Sequence, residues 1–161
     1  MRSGLSMLVR VAKLLLVAYV PLSFTILPPP SATHLVIGLT GAVLALHFLE
    51  TALSGRIAWR VWNAVLGILA VAASAHFVAN IERLTFPLGR PPAIDYAMGL
   101  AILLAVLEAS RQKLGAVLPG LAVLLALYVV FGAYMPSELY HPGLSASRLV
   151  FQVTGTLQGP Y

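Results

Sequence analysis

The sequence has 161 residues, of which 60% are hydrophobic and 9% charged, with a mean hydropathy of +0.93 and a net charge of +5. Soluble domains carry roughly 25% charged residues, and a fold of this size cannot hide so much apolar surface from water, so a water-soluble protein is excluded. There is no cysteine, which removes disulfides, thiol catalysis and zinc–thiolate centres; the basic residues lie at the ends of apolar runs, where membrane topology rather than nucleic-acid binding explains them.

Five apolar runs follow one another. About 20 residues cross the hydrocarbon as a helix, and continuous rather than alternating hydrophobicity argues against barrel strands. In lipid every backbone group must bond internally, which leaves helices. The first span covers 8–27, broken at Pro21. Its basic start has the look of a signal peptide, but the apolar stretch runs on to Leu27 with no small-x-small cleavage site, so it reads as a retained span. Pro28, Pro29, Pro30 and Ser31 end it. The second span covers 34–53 and the third 57–80, separated by Ser54-Gly55. Trp59 and Trp62 mark the membrane interface at the start of the third. The Pro-framed segment 87–92 leads to a fourth span over 94–110. The charged knot E-A-S-R-Q-K (108–113) reads as a tight turn at the membrane surface, before a fifth span over 114–135 with Pro119 near its start. Gly38, Gly41 and Gly99 are small positions suited to close helix packing.

The bundle thus occupies 1–135 and a less apolar tail 136–161. In the tail Leu149, Val153 and Leu157 recur at i, i+4, i+8, with Ser145 placed to cap. This predicts an amphipathic helix over 145–157 lying on the outer membrane surface. The fold class is an all-α integral membrane protein, a bundle of about five transmembrane helices plus this short C-terminal helix. With the N-terminus cytoplasmic, Arg2, Arg10, Lys13, Arg56, Arg60, Arg111 and Lys113 are all inside, against Arg83, Arg90 and Arg148 outside. That arrangement satisfies the positive-inside rule.

From about Glu82 onward a series of short motifs appears in order: E-R-L (82–84), F-P-L-G-R-P-P (86–92), Asp95, G-L-A-I-L-L-A-V-L-E-A-S-R (99–111), Gly115 with L-P (118–119), Y-V-V-F-G-A-Y-M-P (128–136), H-P-G-L-S-A-S-R-L-V (141–150) and T-G-T-L-Q-G (154–159). Together they resemble the N-terminal, small-subunit region of the fused permease of TAXI-type TRAP transporters. The resemblance covers half the chain; the first 80 residues agree only as apolar spans in suitable places. It implies a small scaffold subunit of an ion-driven uptake system for organic acids in the bacterial cytoplasmic (inner) membrane. The implied partners are a large permease subunit, separate or fused, and a periplasmic TAXI-type substrate-binding protein, besides the lipid bilayer itself. It implies no catalytic residue, no cofactor and no metal. The fused proteins continue directly into a large transport domain, whereas this sequence stops at Tyr161.

Six charged residues stand out as interface or structural candidates. Glu108 and Arg111, at i and i+3 on the fourth helix, form an ion pair at its cytoplasmic end or a contact to the partner subunit or headgroups. Glu82, Arg83, Arg90 and Asp95 fall in the loop between spans three and four, where paired charges in a Pro-framed segment suit docking of another protein. Two other readings stay open: the small subunit of another tripartite carboxylate transporter, or a small membrane redox or metal protein. The latter would use His34 with His76, or His47 with Glu50 at i, i+3, although a metal site needs a third ligand. No phosphate-binding loop, nucleophile elbow or interleaved basic-aromatic patch occurs, so neither an enzyme nor a nucleic-acid partner is expected.

Overall fold

The computed structural model describes residues 2–25, 32–53, 56–85, 91–136 and 138–154; in the first helix it describes side chains from Met7 to Tyr19. Seven α-helices and one 3-10 turn appear among these residues: α1 (Arg2–Thr25), α2 (Ala32–Ala52), α3 (Ile57–Ala79), α4 (Ile81–Thr85), α5 (Ala93–Leu114), α6 (Val117–Phe131), the turn Gly132–Tyr134, and α7 (Ala146–Thr154). Four of the helical segments are long and apolar enough to cross a bilayer: Thr33–Ala52, Ile57–Ala79, Ala93–Leu114 and Val117–Tyr134. The chain is a multi-pass, all-α membrane protein.

Three expectations change. First, α1 is continuous from Arg2 to Thr25 and runs through Pro21 instead of breaking there. A proline removes one i→i−4 hydrogen bond and bends a helix as readily as it ends one. Second, the charged knot is not a turn. Glu108, Ala109, Ser110, Arg111, Gln112 and Lys113 form the last turns of α5, which ends at Leu114. These residues are mostly good helix formers, and the basic pair sits where the helix dipole favours cations. The reversal is made by Gly115 at φ 85°, a conformation that suits only glycine, and by Ala116. Third, α6 begins at Val117, and Pro119 fits within its first turn, where the missing N–H has no intrahelical partner to lose.

The core lies between α2, α3 and α5. Ile37, Leu44 and Phe48 of α2 meet Leu66, Ala70, Ala73 and Phe77 of α3 and Ile102 and Ala105 of α5. In lipid the apolar effect does not drive helices together, so close approach matters more. Gly41 supplies it between α2 and α3. A Cβ there would sit 2.5 Å from the Cβ of Ser74, which no rotamer change can relieve. Gly38, grouped with Gly41 by sequence, faces open space and plays no such role. α1 packs against α2, and α6 packs against α5 with most of its side chains outward.

The helix ends define two edges. The basic edge gathers the C-terminal end of α2, the start of α3, the end of α5 and the start of α6. The far edge holds the end of α3, α4, the start of α5 and the segment after α6. There the last carbonyls of α6 are satisfied by the returning chain. The Leu144 amide donates to the Val129 carbonyl (3.0 Å), the His141 amide to that of Gly132 (3.3 Å), and His141 Nε2 to that of Tyr128 (3.1 Å). The Gly143 amide in turn donates to His141 Nδ1 (3.1 Å), with Gly143 at φ 68°. This fold-back carries α7 onto α5. The predicted amphipathic helix exists and starts after Ser145, but it does not merely rest on a surface. Thr154 is buried, and a Cβ at Gly99 of α5 would come within 2.3 Å of its Oγ1. Residues 155–161, including Leu157 and most of the T-G-T-L-Q-G motif, lie outside the described residues.

Candidate functional site

Two polar clusters tie the bundle, one at each edge. At the far edge the centre is Asp95, only 2% exposed in the first turn of α5. The sequence groups it with the docking charges of the loop between spans three and four; the structure buries it. Pro92 starts α5 from an extended conformation, and the Asp95 amide donates to the Pro92 carbonyl (3.0 Å), so the helix begins early enough to include the carboxylate. His76 Nε2 of α3 donates to Asp95 Oδ1 (2.8 Å), and Arg83 Nη2 of α4 donates to the same oxygen (2.9 Å). One buried acceptor therefore joins three helices. An acid at a helix N-terminus also meets the favourable end of the dipole.

At the basic edge the centre is Asn63 of α3, with no exposed surface. Its Nδ2 donates to the Trp59 carbonyl one turn back (2.7 Å). Its Oδ1 accepts from Thr51 Oγ1 of α2 (3.0 Å) and from Gln112 Nε2 of α5 (2.9 Å). Gln112 Oε1 accepts from His47 Nε2 of α2 (3.1 Å), and Gln112 Nε2 also reaches Glu108 Oε1 (2.9 Å). Glu108 accepts two parallel bonds from Arg111, from Nε and Nη2, each 2.7 Å. The Arg111 guanidinium lies 5.7 Å from the centre of the Trp59 ring. Arg60 Nε closes the end of α2 by donating to the Ala52 carbonyl (3.0 Å), and Lys13 of α1 pairs with Glu50.

The sequence-derived candidates fare unequally. Glu108 and Arg111 do pair, within a wider network. Arg83 and Asp95 meet; Glu82 is exposed on α4; Arg90 lies outside the described residues. His76 spends its Nε2 on Asp95, the ring nitrogen that a haem pairing with His34 would have to weigh. His47 bonds Gln112 while Glu50 bonds Lys13, so each member of the proposed metal pair is engaged elsewhere. Among the described residues no group of three or more His, Cys, Asp or Glu side chains converges as a metal site. Sequence reasoning missed Asn63, Gln112 and Thr51. The signal was present: strongly polar side chains inside otherwise apolar spans need partners.

Chemically, both clusters tie helices together. The bonds of His76, Arg83, Thr51, His47 and of Gln112 to Asn63 run between different helices, while those among Glu108, Arg111 and Gln112 stay within α5. Compared with family models, curated proteins and solved structures, the chain matches none.

Proposed function

We propose that this chain is the small scaffold subunit, or the equivalent N-terminal segment, of a TRAP-type secondary transporter for organic-acid uptake. The observation that supports the reading is the pairing of polar ties at both ends of α3 and α5, with α2 joined to them at the basic edge. Asp95 and Asn63 each join helices across the core, one at each edge. Helices fixed at both ends move as one body. That is the property needed in the stationary part of a carrier whose other part slides. The ordered motifs from Glu82 onward supply the family. On this reading the basic edge faces the cytoplasm of a bacterial inner membrane, in line with the positive-inside rule. A large permease subunit packs against the bundle, and a periplasmic TAXI-type binding protein delivers substrate to that permease. The chain contributes no catalytic group and no substrate contact.

The test is deletion of this chain in its native host, followed by uptake of radiolabelled small dicarboxylates. The expected result is uptake at background level, restored by the intact chain supplied from a plasmid. Uptake that is unchanged by the deletion contradicts the reading.

A further inference from the structure

Beside the Asn63 network a groove of about 520 Å³ opens on the membrane face of the bundle. α5 forms its floor with Ala101, Leu104 and Leu107; Leu69 of α3 forms one wall, and Gly120 and Val123 of α6 form the other. The walls are apolar throughout. Only one end is charged, where Glu108 and Arg111 line the groove beside Trp62. From Ala101 to Arg111 the floor extends about 15 Å along the helix axis, half of a hydrocarbon layer about 30 Å thick. A groove one leaflet deep, apolar along its length and with its charged groups, Glu108 and Arg111, at one end, has the polarity of a single phospholipid.

We infer that this groove is a binding site for one anionic glycerophospholipid, its acyl chain along α5 and its phosphate at the Arg111–Trp59 corner. Charge complementarity selects the headgroup. Arg10, Lys13, Arg56, Arg60, Arg111 and Lys113 crowd the basic edge, against Glu50 and Glu108. Glu108 engages Nε and Nη2 of Arg111 and leaves Nη1 for a phosphate oxygen. The ion pair also fixes the guanidinium at the groove mouth, while Trp59 and Trp62 mark the headgroup level. The inference does not depend on the transporter reading.

Gly120 provides a clean test. Gly120 lines the groove and a Cβ there meets nothing within 4 Å, so the backbone admits a leucine that takes up groove space, and it raises helix propensity. The full-length protein, purified in mild detergent with whatever accompanies it, is examined by native mass spectrometry after exposure to phosphatidylglycerol or phosphatidylcholine. The wild type is expected to retain one phosphatidylglycerol per chain in preference to phosphatidylcholine. Each methylene withdrawn from an apolar contact is worth about fourfold, so Gly120→Leu lowers retention of both lipids roughly tenfold or more. Arg111→Gln keeps chain binding but reduces the preference for phosphatidylglycerol about fivefold. Circular dichroism confirms equal helix content in all three proteins. Equal retention of the two lipids by the wild type overturns the proposal. So does Gly120→Leu retaining lipid as the wild type does, or a wild-type groove that carries no lipid because a partner's helix fills it.

Discussion

Asn63→Asp destabilises the bundle by about 2 kcal/mol, less than the roughly 3 kcal/mol for a carboxylate at the centre of a membrane helix, because Asn63 lies toward the basic edge and two donors already face it. The side chain is fully buried and almost the same shape, so packing is unchanged and only charge is added. Thr51 and Gln112 still donate to one oxygen, but the second, which replaces an amide that donated to the Trp59 carbonyl, now faces that carbonyl as acceptor against acceptor. Asn63→Leu is the informative contrast. Thr51 keeps the carbonyls of His47 and Phe48, each at 3.1 Å, and Gln112 keeps Glu108. The orphaned groups therefore have other partners, and the loss is about 1 kcal/mol, in the range measured for hydrogen bonds between membrane helices. Thermal unfolding in detergent checks both. Asn63→Leu falling below Asn63→Asp contradicts this account of the network.

Asp95→Ala lowers the unfolding midpoint by roughly 5 °C, corresponding to a loss of about 2 kcal/mol. Breaking a fully buried ion pair costs more, because a charge is stranded in the interior. Here the Arg83 side chain is 42% exposed and returns to water, so the cost is discounted. His76, mostly buried, loses its acceptor outright. Asp95→Asn keeps an oxygen that accepts from both donors and retains most of the stability. Arg83→Gln costs no more than a few tenths of a kcal/mol, as expected for a partly exposed partner. A midpoint for Asp95→Ala equal to that of Arg83→Gln would show that the carboxylate does not join α3 to α5.

These contrasts also show what the sequence could carry. Apolar runs of membrane length located α2, α3, α5 and α6 within a few residues, because span length is fixed by bilayer thickness. The end of α5 is less legible, because a run of charged residues reads as a surface turn. Glu108 and Arg111 instead sit one turn apart, satisfy each other, and let the helix continue to Gly115. The burial of Asp95 is hidden for a similar reason. Its partners His76 and Arg83 lie 19 and 12 residues back, across a chain reversal that periodicity does not register. Asn63 and Gln112 are 49 residues apart, and only the packing of α3 on α5 reveals them as a pair. The fold-back at His141 was equally hidden, since H-P-G signals a turn but not which carbonyls the turn will cap.

The most direct measurement is a mild-detergent purification from native membranes, using a C-terminal tag, with mass spectrometry of the associated proteins. The scaffold reading predicts a much larger multi-span permease in roughly equal amount, or this sequence covalently continuous with one. A chain that purifies alone, folded and without such a partner, contradicts it.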